Sequence, residues 1–109
     1  MNPEPDQRIV RRARLEIDFA RRDAYLALLK EEIEASIRLE PGVLMLHATS
    51  PKGAPNRIEL LEVYASQAAY EAHIASPHFL KYKAGTQDMV LSLELAEADP
   101  ILLAAKPAP

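Results

Sequence analysis

Cysteine and tryptophan are both absent from this 109-residue sequence, and glycine occurs only three times. Without cysteine there is no disulfide framework, no thiolate nucleophile and no thiolate metal site, and a reducing compartment is compatible with that usage. The glycines, Gly42, Gly53 and Gly85, are scattered. No glycine-rich loop therefore exists to cradle a phosphate or a dinucleotide, and neither flavin nor nicotinamide is called for. An excess of positive charge is missing too: 13 basic residues mix with 16 acidic ones for a formal net charge of -3. The short cluster Arg8, Arg11, Arg12 and Arg14 reads as a solvated or interface face, so no nucleic-acid partner is expected. No apolar run approaches the roughly 20 residues that cross a bilayer. The start, Met1 to Asp6, is acidic and proline-bearing, the reverse of a signal peptide's order. The expectation is a cytoplasmic protein with no membrane partner.

What is present suits one small domain. At 12.1 kDa and 49% hydrophobic residues the chain can build one modest core. Residues 1–7 and 107–109 read as tails, because neither end offers apolar surface to bury, and 8–106 as the domain. Arg8 to Ile17 alternates, with Ile9, Ala13, Leu15 and Ile17 on one face and Arg11 as its odd, charged member, which is a strand. From Arg21 to about Glu40 the spacing becomes helical, with Tyr25, Leu28, Leu29, Ile33, Ser36 and Ile37 on one stripe. Glu40-Pro41-Gly42 ends that helix, since the residue before proline avoids helical angles.

Val43 to Ser50 and Arg57 to Tyr64 read as two strands joined by a loop of turn residues, Pro51 to Asn56. Ser66 caps a short helix running to Ala75, and Ser76-Pro77 restarts it as cap and first-turn proline, with Phe79, Tyr82, Thr86, Met89 and Val90 on one face. Two segments compete for the final strand, Leu91–Leu95 and Ile101–Ala105; the second, an unbroken apolar run of strand length, is favoured. The order strand, helix, strand, strand, helix, strand is the split βαβ pattern of an α+β, ferredoxin-like fold: a four-stranded antiparallel sheet with both helices on one face. The other face needs a cover, and a second copy of the chain is the simplest one.

Two of the three histidines, His73 and His78, lie five residues apart across the helix break, each one turn from a tyrosine (Tyr70 and Tyr82). On the third strand Glu62 shares a face with Ile58, Leu60 and Tyr64. A carboxylate there needs a partner, such as an arginine of the first strand or of a second copy, or else its pKa rises. Strict alternation places His47 with Val43, Met45 and Thr49, a row in which it can be a packing residue or a pocket residue. Arg11 either reaches water at the strand edge or binds an anionic oxygen. The histidine spacing matches no metal-ligand motif, and Ser76 is explained as a cap, so neither a metal site nor a serine nucleophile is expected. What remains is a pocket of apolar and aromatic side chains with His73, His78, Glu62, Tyr64, Tyr82, Phe79 and, at its margins, His47 and Arg11. Such a pocket can bind a compact, partly apolar molecule and move a proton.

Glu40-Pro41-Gly42, Asn56-Arg57, Glu62-Val63-Tyr64 and His73-x-x-Ser76-Pro77-His78-Phe79, in that order over residues 8–106, resemble the antibiotic biosynthesis monooxygenase (ABM) domain and its quinol monooxygenase members. The resemblance implies a dimeric α+β barrel of two ferredoxin-like protomers. It further implies a cofactor-independent monooxygenase, working without metal or flavin, that deprotonates a small phenol or quinol and lets the anion reduce O2. His73, His78 and Glu62 would then be catalytic, one of the histidines taking the proton, while Tyr64, Tyr82, His47, Arg11 and Phe79 would bind substrate. Haem degradation, another activity of this fold, would need an asparagine, a tryptophan and an axial histidine where this chain has Ala13, Tyr64 and Lys83. Two alternatives stand beside the oxygenase: an isomerase of a small phosphorylated metabolite, with Arg11 or Lys81 on the phosphate, and a non-catalytic binding module.

Overall fold

The computed structural model describes residues 5–107. The expected tails fall largely outside that span: 1–4 and 108–109 are not among the described residues. Strand β1 (Ile9–Ile17) leads through a short 3₁₀ turn (Phe19–Arg21) into helix α1 (Arg22–Leu39). The hairpin of β2 (Val43–Thr49) and β3 (Arg57–Tyr64) follows, then α2 (Gln67–Ile74), α3 (Pro77–Thr86) and β4 (Val90–Ala98). The four strands form one antiparallel sheet in the order β2-β3-β1-β4, and the helices cover one of its faces. This is the expected ferredoxin-like arrangement.

Local chemistry explains the boundaries. Asp18 accepts from the Ala20 amide, and Ser66 and Ser76 accept from the amides of Ala69 and Phe79, so the turn and the last two helices each begin on a side-chain cap. Pro77 stands at the first helical position of α3, where its missing N–H costs nothing. Glu40 is extended at φ -112°, ψ 103°, as a residue before proline should be, and closes α1. Gly53, at the hairpin tip, has φ +82°, which a residue with a Cβ adopts only under strain.

Cross-strand pairs fix which side chains look toward the helices. Leu15 pairs with Ile58 and Leu93, Ala13 with Leu60 and Leu95, and Arg11 with Glu62 and Glu97. Ala13, Leu15, Ile17 and Ile58 join Tyr25 and Leu29 of α1 and Met89 in the main core.

Three expectations need correction. The last strand is Val90–Ala98, and the favoured segment Ile101–Ala105 forms no strand, with Ile101 fully exposed. The alternation of Leu93 and Leu95 with polar residues matches the pleat of β1, with Leu91 left out at a register shift, and Pro100, without an N–H, blocks a clean continuation. Met89 and Val90 do not belong to the last helix, which ends at Thr86; Met89 reaches the core from the turn, where its carbonyl accepts from the Asp18 amide at 2.9 Å. Finally, β2 is not strictly alternating. Its register shifts between Val43 and Met45, so Val43 pairs with Tyr64 but Leu46 with Glu62. One extra residue inverts everything beyond it. His47, opposite Leu61, therefore lies on the face away from Glu62 and is exposed.

Candidate functional site

Between the sheet and helices α2 and α3 lies a cavity of about 400 Å³. Arg11 and the cross-strand neighbour Glu62 form part of its floor, Tyr64 one end, and His73, Phe79 and Tyr82 the helical wall. Six of the eight expected site residues thus meet in one place. His78 and His47 are not in its lining: His78 points to Glu40 at the back of His73, and His47 is on the far face of the sheet.

His73 is held from both sides. Its Nδ1 is 2.9 Å from Glu40 Oε2 and its Nε2 is 3.2 Å from Glu32 Oε1. A carboxylate only accepts, so Nδ1 donates to Glu40; the Glu32 contact is an ion-pair distance that a protonated ring would strengthen. Burial pushes the His73 pKa down, but the hydrogen bonds to Glu32 and Glu40 outweigh it and the net shift is upward. Glu40 moves the opposite way: burial raises it, while the bonds to His73 and His78 draw it below the usual carboxylate value. The Oε2 of Glu40 also meets His78 Nε2 at 2.6 Å, and Ser36 Oγ donates to Glu32 Oε1 at 3.0 Å. His73 is 3% exposed, so the chain Ser36–Glu32–His73–Glu40–His78 is a largely buried array that fixes this ring in the cavity wall and favours its protonated form.

Neither Glu32 nor Glu40 is among the residues anticipated from sequence. Glu32 does carry a signal, since it stands three residues after Leu29 and four before Ser36 on the buried stripe of α1, where an acid needs a reason. Glu40 is disguised by its role as helix terminator.

Glu62 meets different surroundings. Tyr64 OH donates to Glu62 Oε1 at 2.5 Å. Burial pushes the Glu62 pKa up, and the Tyr64 hydrogen bond, followed by the charges of His73 and Arg11, offsets this only in part. The phenol of Tyr64 is raised by burial and by the Glu62 charge. Deeper, Tyr25 and Tyr82 share a hydroxyl contact of 2.6 Å, and burial raises both. The cavity therefore offers one carboxylate with elevated basicity, one fixed imidazole whose protonated form is favoured and an aromatic lining, a combination that can deprotonate a weak acid and hold the resulting anion.

Among the described residues, Glu40, His73 and His78 are a group whose ligand atoms lie within 4.8 Å of one another and so could hold a metal. A divalent ion there would have to displace the protons that now bridge these atoms. Among the described residues, no helix is long and apolar enough to cross a membrane.

Fold and cavity define a ferredoxin-like α+β protein with its site between sheet and helices. The sequence signature of antibiotic biosynthesis monooxygenase matches residues 8–85, and the chain belongs to that family. Among solved structures it is similar to a protein of Bacteroides thetaiotaomicron assigned as an antibiotic biosynthesis monooxygenase, at 53% identity over 94% of this chain and 97% of that one, with a TM-score of 0.88. A Lactobacillus acidophilus protein assigned as a monooxygenase is 28% identical, covering 84% of this chain and 44% of its own, with a TM-score of 0.83. A Nitrosomonas europaea protein with the first assignment shares the fold at 19% identity, over 93% and 96% of the two chains, with a TM-score of 0.82. No curated protein matches the chain.

Proposed function

We propose that this protein is a monooxygenase that needs no cofactor and oxidises a small hydroxyarene, a phenol or quinol, with O2. The family and the assignment of the 53%-identical relative support a monooxygenase-like activity. The observation that carries the mechanism is the contrast between Glu62 and His73. His73 is hydrogen-bonded to Glu40 and in ion-pair contact with Glu32, two carboxylates that favour its protonated form over its acting as a proton acceptor. Glu62, raised by burial, is the better base. We therefore assign proton acceptance to Glu62 in place of a motif histidine, and to His73 the stabilisation of the substrate anion. His78 acts through Glu40 as a positioning residue, and Tyr64, Tyr82 and Phe79 bound the substrate.

The chemistry balances without another reductant. A naphthol, taken as the example, gives its O–H proton to Glu62, and the anion's ring carbon para to that oxygen forms a C–O bond to O2. The O–O bond then breaks, one oxygen remains as the new carbonyl, and the other leaves as water with the ring hydrogen and the phenolic proton. The arene loses four electrons and O2 gains them. The protein supplies the base, a cation and a mainly apolar, aromatic-lined cavity.

We further propose that the protein works as a homodimer closed over the sheet face that the helices leave open, where Leu61 is exposed beside Val10 and Val63. The test of function is oxygen uptake by chelator-treated protein with a panel of naphthols and quinols. Consumption above the autoxidation blank is expected; a flat trace across the panel overturns the proposal.

A further inference from the structure

We infer that the substrate carries a carboxylate, held by Arg11 and steered by Lys83. This rests on the reading of the cavity as a hydroxyarene site and names which hydroxyarenes it takes.

Arg11 is out of place by pattern. It occupies the helix-facing row of β1 that continues through Ala13, Leu15 and Ile17, where an apolar residue would pack, yet its side chain is only 17% exposed. Its guanidinium carbon sits 4.5 Å over the Tyr70 ring, a cation–π contact that helps to hold the group in place. A guanidinium has five N–H donors. Among the described residues one hydrogen bond is made, from Nη1 to Glu97 Oε1 at 3.1 Å, and Glu97 is 62% exposed at the rim, so that contact is weakly held. Glu62, the other flanking carboxylate, is bonded to Tyr64 instead. Among the described residues no side-chain nitrogen is buried without a partner, so the remaining donors of Arg11 keep some access, and Arg11 lines the cavity.

Lys83 of α3 is a second cation on the same lining, and it makes no ion pair among the described residues. Lys81, two residues earlier, is by contrast bound to Glu31 at 2.6 Å. The cavity therefore presents a guanidinium held over the Tyr70 ring with donors beyond its one hydrogen bond and an ammonium without an ion pair among the described residues, while the rest of its wall is mainly apolar. A planar, singly charged carboxylate matches the edge of one fixed guanidinium. Placed there, the acid group would leave the aromatic body among Leu60, Phe79 and Tyr82, all lining the same space, with the hydroxyl free to meet Glu62.

The test is a binding measurement without oxygen, so that it does not depend on turnover. A naphthol and the corresponding hydroxynaphthoate are titrated into the intact protein under argon by calorimetry. A charge-assisted hydrogen bond predicts that the hydroxynaphthoate binds about tenfold tighter. Arg11→Gln should cut the preference to about threefold or less, the remainder being the share of Lys83, with a thermal melt confirming that the variant is folded. Lys83→Gln, on an exposed helix position, should narrow the preference by a smaller factor. Equal affinity of the two probes for the unmodified protein overturns this inference and leaves the oxygenase reading standing. So does a preference that survives in the Arg11→Gln/Lys83→Gln double variant. Binding of neither probe overturns both.

Discussion

Tyr64 and Glu62, two residues apart on one face of β3, are joined by a hydroxyl-to-carboxylate hydrogen bond of 2.5 Å at the end of the cavity. That bond keeps the Glu62 carboxyl from rising as far as burial alone would take it. If Glu62 takes the substrate proton, the acid limb of the pH profile of kcat/KM reports its ionisation. Tyr64→Phe removes the stabilising donor, so the limb should move to higher pH; an unmoved limb would separate Glu62 from the proton transfer.

Removing the carboxylate tests the same residue from the stability side. A folded-state pKa raised above the ordinary 4.5 means that Glu62 costs nothing below that pH, and that its burial penalty appears in full once pH has passed the folded value. Glu62→Gln should therefore lower kcat by about 10²–10⁴, yet leave Tm at pH 7 unchanged or raise it by a few degrees. A thermal melt and an oxygen-uptake rate on one preparation decide it, and a variant that is both active and less stable contradicts the assignment.

The framework of this site is readable from residues alone, because the cues are local. Period two in Arg8–Ile17, the Glu40-Pro41-Gly42 stop and the serine caps at Ser66 and Ser76 each act within a few residues. What escapes is set at longer range. The register shift after Val43 is a β2–β3 pairing property, and it alone carries His47 to the far face. Strand choice at the C-terminus depended on whether Leu93 or a later residue would find Leu15 across the sheet. Glu32 and Glu40 are remote from His73 by 41 and 33 positions, so their joint hold on one imidazole becomes visible only in three dimensions.

That hold has a pH signature. The folded pKa of His73 is raised above the ordinary 6.5, so its stabilisation is fully present below pH 6.5 and is lost as pH rises through the folded value. Glu40 is lowered from 4.5, so its stabilisation is present above pH 4.5 and is lost as pH falls through its folded value. Urea unfolding across pH should show a plateau between these limits, and His73→Gln should flatten the decline on the alkaline side. An identical decline in both proteins would remove the network as its source.

The same cluster makes a clear prediction about metal. If protons bridge Glu40, His73 and His78, prolonged dialysis against a chelator leaves oxygen uptake and Tm unchanged, and added zinc competes with those protons without raising activity. Activity lost with the chelator and restored by a stoichiometric divalent ion would instead make Glu40, His73 and His78 ligands.

Gly42 couples α2 to the rest of the site through contact rather than charge. A Cβ built on it would stand 2.5 Å from the Ala69 Cβ, closer than two carbons can approach, while the Gly42 carbonyl accepts from the Ala65 amide at 2.8 Å and holds the strand end in place. The clash must be relieved by moving α2, and α2 carries His73. Gly42→Ala should cost about 1–3 kcal/mol and lower kcat together with Tm, because the imidazole shifts relative to Glu40. Adding Ala69→Gly removes the opposing methyl at a helix cost of roughly 1 kcal/mol. The double variant should therefore recover activity more completely than stability. If Gly42→Ala alone melts and turns over like the parent, α2 is free to adjust, and the close approach of Gly42 and Ala69 does not position His73.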